Sequence, residues 1–131
     1  DIGYNYRMPN INAALLISQL SRLKKILDKK RILFESYEKL FKNSNDLKLV
    51  REPKNCKSNY WLQTLIIKNK SKKILEGIIK NLIRNKIFVR QGWELISNLE
   101  PFKTCPKMDL KSAKHIQSKI INLPSSSFLI R

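Results

Sequence analysis

The chain has 131 residues, of which 42% are hydrophobic, and a formal net charge of +17. This length and apolar content suit a single domain with its own core, which excludes a disordered tail. No apolar run reaches the ~18 residues of a membrane span, and Cys56, Cys105 and the single His115 have no zinc-ligand spacing, so we expect no membrane and no metal site.

The positive charge is the strongest signal in the composition. It comes from 20 lysines against 7 arginines, and Lys, Asn and Ile together make up 49 of the 131 residues, a bias that affects surface and core alike. A groove that binds phosphates favours Arg, whose planar fork holds two oxygens at once. We therefore favour a solvated basic surface over a nucleic-acid interface, and we expect both cysteines to be reduced and packed in a cytosolic protein.

The first predicted element is a long helix over residues 10 to 43. Large apolar side chains recur every seven residues: Leu20, Leu27, Phe34 and Phe41. This spacing is typical of one helical face, which only Lys30 interrupts. We expect a bend near Ser21, and the polar sequence KNSND ends the helix.

Two strands and a second helix are predicted next. Residues 47 to 50 (LKLV) suit a short strand, and residues 60 to 67 (YWLQTLII) suit a stronger one because aromatic and branched side chains dominate. The following helix has an apolar stripe that should be buried: Ile74, Leu75, Ile78, Ile79 and Leu82. Asn85 is the expected left-handed residue at its end.

A third strand, a last helix and a fourth strand complete the pattern. Residues 86 to 90 (KIFVR) suit a core strand, Pro106 and Asp109 precede the helix, and residues 120 to 126 suit a terminal strand that ends in a turn. The helix should point three side chains inward: Leu110, Ala113 and Ile116. This order predicts an α/β fold of the α+β kind, a small mixed or antiparallel sheet with helices on one face.

Three residues in the second half of the chain are candidates for binding, and none completes a catalytic set. Arg90 ends a predicted strand, where it suits a phosphate or carboxylate as well as a surface ion pair. Trp93 follows Gly92, where it suits the wall of a ligand pocket or the edge of the core. For His115 we favour a place on the helix surface over a catalytic role.

The opening sequence DIGYNYRMPN has the densest set of ligand-binding residue types. Asn5 offers a neutral amide to a phosphate, and Arg7 adds a forked cation. In an extended loop Tyr4 and Tyr6 point to one side, and Asn5 and Arg7 to the other. The chemistry alone fits a ligand-binding loop and a packed loop equally. We expect a segment from within a longer chain, which serves a site whose other half lies elsewhere.

The sequence DIGYNYRMPNINAALLISQLSRL resembles the segment downstream of the cofactor lysine in the DegT/DnrJ/StrS sugar aminotransferases. These enzymes have fold type I and use pyridoxal 5'-phosphate (PLP). The similarity continues through SNYWLQTLII, LIRNKIFVRQGWELISNLEPF and AKHIQSKIINLPSS, so it covers nearly the whole chain. The details W-E-L and N-L-P-S-S resemble the branch that acts on UDP-linked keto sugars for bacterial surface glycans, including nonulosonic acids.

The resemblance implies the C-terminal part of a cytoplasmic homodimer with shared active sites. Residues 1–43 would be the loop and helix that lead in from an absent large domain, and residues 44–131 the small domain. Asn5 would bind the phosphate of the PLP held by the partner subunit. The remaining binding residues would serve the substrate: Tyr4, Tyr6, Arg7, Arg90 and Trp93. The lysine of the Schiff base would lie upstream, so no catalytic residue is expected in this chain, which also looks clipped near Arg131.

The implied reaction is the transfer of an amino group, usually from glutamate, to a nucleotide-linked keto sugar. The first alternative is a dehydratase of the same family that uses pyridoxamine 5'-phosphate and has histidine in place of the upstream lysine. A basic nucleic-acid-binding module and a remnant without function are further alternatives. We expect no activity from this chain alone.

Overall fold

The computed structural model describes residues 7–68 and 72–130. Within these residues the helices are α1 (Asn10–Leu20), α2 (Leu23–Phe41), α3 (Lys72–Arg84) and α4 (Lys111–Gln117). The strands are β1 (Leu47–Leu49), β2 (Gln63–Ile67), β3 (Arg90–Gln91) and β4 (Ile120–Leu123). Three short 3-10 turns lie at Ile96–Asn98, Glu100–Phe102 and Ser127–Leu129.

The four strands form one antiparallel sheet in the order β1-β2-β4-β3. The predicted α/β domain with a small sheet is confirmed, and the strand expected at the end of the chain, β4, lies in its centre. Leu65 of β2 pairs with Ile121 of β4, and both are buried on the same face. The two strands that carry the core are therefore far apart in sequence.

The core lies between this face of the sheet and the helices. Along β2 every second residue is buried, as expected for a strand that is covered on one side. The buried apolar cluster comprises Leu65, Ile67, Leu75, Val89, Ile121 and Leu123. Partly buried side chains from α2 and α3 pack against it: Tyr37, Phe41, Ile78, Ile79 and Leu82.

The predicted first helix is divided into α1 and α2 by a bend at the expected position. Ser21 still bonds to Ile17 four residues back, but the N–H of Arg22 bonds to Gln19, only three residues back. The Ser21 hydroxyl also donates to the Ser18 carbonyl at 2.8 Å, a bond of the kind that often bends helices. The apolar stripe is buried only beyond this bend, since Phe34 is 4% exposed and Leu20 53%.

The strand predicted from residue 60 begins at Gln63, because the backbone turns sharply before it. Tyr60 has φ +44°, in the left-handed region that a bulky residue seldom adopts. Residues 60 to 62 therefore form a bend that leads into β2.

The end of α3 also differs from the prediction. Lys86, not Asn85, is left-handed, with φ +62°. The N–H of Lys86 bonds to Ile83 and the N–H of Ile87 to Leu82, both at 2.9 Å, which is the Schellman pattern. Because this cap uses residues 86 and 87, the predicted strand over 86 to 90 is reduced to β3 at Arg90–Gln91.

Two helix side chains and both cysteines are among the residues that are more exposed than the sequence predicted. Ile74 is 48% and Ile116 51% exposed. The buried faces of α3 and α4 therefore include fewer residues than the apolar residues in their sequences predicted. Cys56 and Cys105 are free, as expected, but both are exposed and not packed. Among the described residues, no helix has the length and apolar character needed to cross a bilayer.

Candidate functional site

The binding residues predicted in the opening loop are only partly within the described structure. Tyr4, Asn5 and Tyr6 lie outside the described residues. Arg7 is exposed and lies just before α1, which begins after Pro9. Its guanidinium is therefore accessible to a group that approaches from outside the chain.

Arg90 and Trp93 lie together in sequence at the edge of the sheet. Arg90 is exposed and pairs across the sheet with Asn122, which is 9% exposed. Asn122 in turn accepts a hydrogen bond from the Thr64 hydroxyl at 2.8 Å. These three residues form a polar row across the strands, in which the partly buried Thr64 and the buried Asn122 lead to the exposed Arg90.

Trp93 is 66% exposed and its indole lies beside that of Trp61, which is 62% exposed. The ring centroids are 5.5 Å apart and the planes are tilted by 50°. Sequence analysis missed Trp61, because residues 60 to 67 read as a buried strand. The signal that could have identified it is the sequence S-N-Y-W, since Ser and Asn favour turns directly before the two aromatic residues.

The backbone that carries Trp61 is held by several hydrogen bonds. Ahead of it, the Ser58 hydroxyl accepts from the Tyr60 N–H at 3.0 Å, and the Asn59 side chain accepts from the Trp61 N–H at 2.9 Å. From β4's end, the Ser125 hydroxyl donates to the Trp61 carbonyl at 2.7 Å. The bend is thus fixed from both sides while the indole stays exposed.

Lys30 of α2 is the central contact of this bend. Its ammonium lies 2.6 Å from the Ser125 carbonyl, 3.4 Å from that of Tyr60 and 3.5 Å from that of Trp61. The Lys30 carbonyl also accepts from the buried Gln63 side chain at 3.2 Å. Burial lowers the pKa of Lys30. The one polar residue in the apolar stripe of the first helix therefore joins α2 to the loops before β2 and after β4.

An aromatic stack and a cation–aromatic contact support the same bend from the side of α2. Tyr60 stacks on Phe34 with 4.3 Å between ring centroids, and the Arg31 guanidinium lies 5.3 Å from the Tyr60 ring. Arg31 also donates to both carboxylate oxygens of Glu52, at 3.1 and 3.3 Å, which lowers the pKa of that carboxyl. These contacts explain how a bulky residue remains in a left-handed conformation.

His115 lies exposed on α4, in agreement with the favoured surface interpretation. Among the described residues, no cluster of His, Cys, Asp and Glu could hold a metal ion. The described residues also contain no complete catalytic set.

Helix α1 has apolar side chains on all sides and contributes no buried residue. Its large exposed side chains are Ile11, Leu15, Leu16, Ile17 and Leu20. A helix of this kind is normally surrounded by protein, because solvent on any side would contact apolar surface. The surface of α1 therefore has the character of an interface.

We expect the 131-residue chain to self-associate and to bind a hydrophobic dye through α1. Ile17→Lys should reduce both effects severalfold, since Ile17 is 70% exposed and a charge there opposes apolar contact. Sedimentation and dye fluorescence measure the change. Ser18→Lys, which adds the same charge to the next exposed position, is the control. Equal effects of the two variants would mean that the added charge alone, and not the loss of the apolar Ile17 side chain, causes the change.

Comparison with known proteins decides the family. The model of the DegT/DnrJ/EryC1/StrS aminotransferase family matches residues 1–130. The chain belongs to this family. Among its relatives, GDP-perosamine synthase of Escherichia coli O157:H7 is 30% identical over 130 residues, which cover 95% of this chain and 33% of that protein.

Solved structures share the fold of this chain. PseC of Helicobacter pylori, an aminotransferase in the biosynthesis of pseudaminic acid, matches 97% of this chain with a TM-score of 0.81 and 23% identity. DesI in the presence of its TDP-sugar product matches 96% with a TM-score of 0.83 and 16% identity. The chain spans about a third of the length of each, 34% and 33% respectively.

Proposed function

We propose that this chain is the C-terminal part of a PLP-dependent aminotransferase that transfers an amino group, from glutamate, to a nucleotide-linked keto sugar for surface-glycan biosynthesis. The observation that carries the proposal is the family match over residues 1–130. The names of two relatives, a GDP-perosamine synthase and an aminotransferase of pseudaminic acid biosynthesis, support the class of substrate.

The proposed enzyme is a homodimer with shared active sites, in which residues 1–43 lead from a large domain to a small domain at 44–131. The apolar surface of α1 supports an interface in this segment, because α1 lacks buried residues within the chain. In this arrangement the opening loop of one subunit reaches the cofactor of the other.

When bound, PLP supplies the electron sink that allows an amino group to move between donor and acceptor. In the proposed site the Asn5 amide would hold the cofactor phosphate. Tyr4, Tyr6 and Arg7 would serve the substrate beside it, and Arg90 and Trp93 would contact the substrate from the small domain.

The described residues fit one edge of such a site. Arg7 is exposed where the opening loop meets α1, so it can approach an anion held by another domain or subunit. Lys30, whose pKa is lowered by burial, donates to three carbonyls and is not placed to bond covalently to a cofactor. Lys30 is therefore not our candidate for the cofactor lysine.

Asn5→Ala in the full-length enzyme should weaken PLP binding by roughly ten- to a hundredfold. The reason is the loss of an amide donor to a charged phosphate, and such hydrogen bonds contribute about 1.5–3 kcal/mol. Equilibrium dialysis of PLP measures the effect. Asn43→Ala, at an exposed position after α2, is the control and should retain full affinity. Unchanged PLP affinity in Asn5→Ala would contradict the assigned role.

Mixed dimers test the shared site. Subunits with Asn5→Ala are combined with subunits that lack the upstream cofactor lysine. If sites are shared, one site of each mixed dimer has both defects and the other has none, so activity should partly return. Mixed dimers that have formed and stay inactive would place Asn5 in the site of its own subunit.

The 131-residue chain alone should show no transaminase activity and no absorption band of a lysine–PLP adduct. The sequence has 20 lysines, but none lies in a context that resembles the cofactor site of the family. A band that one lysine substitution abolishes would overturn this prediction. In the full-length enzyme, lysine or histidine at the upstream cofactor position distinguishes the aminotransferase from the dehydratase.

A further inference from the structure

The ammonium of Lys30 lies among three backbone carbonyls that come from two different loops. Its Nζ is 2.6 Å from the oxygen of Ser125, 3.4 Å from that of Tyr60 and 3.5 Å from that of Trp61. An ammonium has three N–H donors, so each donor has one acceptor. These three carbonyls, the carbonyl cage, contact the cation with their negative ends as oxygen ligands contact an ion.

The cage holds a charge that has no anionic partner. Among the ion pairs of residues 7–68 and 72–130, none includes Lys30, and burial lowers its pKa. A partly buried charge is costly unless fixed dipoles replace its water. Backbone carbonyls are such dipoles, and in potassium channels they replace the water around K⁺. The chemistry of the cage is therefore that of a site for a cation.

The distances and the ligands select the class of cation. Ca²⁺ and Mg²⁺ bind oxygens at about 2.3–2.6 Å and 2.0–2.1 Å, and they normally take carboxylates among their ligands. The cage consists of carbonyls, and two of its oxygens lie 3.4 and 3.5 Å from the Nζ position. It therefore suits a larger cation that carries a single charge.

Other contacts hold the cage in place independently of Lys30. The hydroxyl of Ser125 donates to the carbonyl of Trp61 at 2.7 Å, which joins the two loops directly. Tyr60 is fixed by its stack on Phe34, with ring centroids 4.3 Å apart. The oxygens should therefore keep their positions when the side chain of Lys30 is shortened.

We propose that the carbonyl cage is a binding site for a monovalent cation of the size of ammonium or potassium, and that the Lys30 side chain fills it. Lys30 is then a positioning residue that acts as a tethered ion. It holds the loop before β2 to the loop after β4 without depending on the ions in solution. This role is separate from the proposed function, because it involves neither cofactor nor substrate.

The test empties the cage with Lys30→Ala in the 131-residue chain. Urea unfolding is measured in ammonium, potassium and choline chloride at equal concentration, because a ligand that binds only the folded state stabilises it. The folding equilibrium constant of Lys30→Ala should be at least roughly fivefold higher in ammonium than in choline chloride, which corresponds to about 1 kcal/mol. Potassium should give a gain in the same direction, whereas choline is too large for the cage.

Three controls separate a filled cage from a general effect of salt. In the unchanged chain the cage is occupied, in Lys30→Met the methionine side chain takes its space, and Lys24→Ala removes an exposed lysine of the same helix. None of the three should distinguish ammonium from choline. In Lys30→Ala alone, ammonium should also shift the indole N–H signal of Trp61 in the ¹⁵N NMR spectrum, and the shift should saturate.

A lysine that only packs and bonds would give a different result. Lys30→Ala would then be destabilised to the same extent in every salt, and this outcome would overturn the inference. An equal gain from ammonium in Lys30→Met or in the unchanged chain would overturn it as well, as would a Lys30→Ala chain that stays unfolded in all three salts. A Lys30→Ala chain that is unfolded in choline chloride and folds in ammonium chloride would support it.

Discussion

Leu75→Ala should destabilise the chain by about 2–5 kcal/mol, the range for truncation of a buried leucine. Leu75 of α3 is 2% exposed and belongs to the buried cluster that packs on β2 and β4. Its loss removes apolar contacts and leaves a cavity. Since a domain of this size is stable by only about 5–15 kcal/mol, the change should be plain in urea unfolding followed by circular dichroism.

Leu40→Ala is the matched control for this prediction. Leu40 also lies within a helix but is 71% exposed, so the same truncation should cost less than about 1 kcal/mol. Equal losses in the two variants would mean that α3 does not pack on the sheet as the structure has it.

Lys30→Met should destabilise the chain by roughly 2–4 kcal/mol. Methionine retains most of the apolar stem but leaves the carbonyls of Tyr60 and Ser125 without the ammonium, and an unsatisfied polar group costs about 1–3 kcal/mol. The Trp61 carbonyl keeps its bond from the Ser125 hydroxyl. The relief of a partly buried charge offsets some of this loss. Urea unfolding measures the stability. The indole N–H signals of Trp61 and Trp93 in the ¹⁵N NMR spectrum report whether the bend at Trp61 has loosened.

Lys24→Met is the control on the same helix, because Lys24 is exposed. It should leave both the unfolding midpoint and the indole signals unchanged. A stable Lys30→Met variant with unmoved indole signals would show that the bend is held without the ammonium.

The elements with strong local patterns were predictable from sequence. Phe34 and Phe41 mark the buried side of α2, and the branched residues of β2 mark a central strand. One detail that failed depends on local backbone hydrogen bonds at the end of α3, which the pattern of side chains does not show. β3 is short because Lys86 and Ile87 complete the cap of α3, and neither residue shows this in a local pattern.

The candidate site was predictable only in its separate parts. Trp93 and Arg90 were candidates from their positions near the end of a strand. That Trp93 meets Trp61, and that Lys30 supports Trp61, follows from the packing of α2 against the ends of β2 and β4. In the sequence, Lys30 only interrupts an apolar stripe. Its partners are backbone carbonyls about 30 and 95 residues away. Because every residue has a backbone carbonyl, no residue type in the sequence identifies these partners.

The strand order has a consequence for synthesis of the protein. β4 lies between β2 and β3, so both of its neighbours leave the ribosome more than 25 residues before it does. Until Ile120–Leu123 emerges, only the β1–β2 pair can form, and one edge of β2 stays open. An open edge beside apolar residues can pair with another nascent chain. Folding of this domain should therefore be late and cooperative, and a chaperone that shields β2 during translation should raise the yield of native protein.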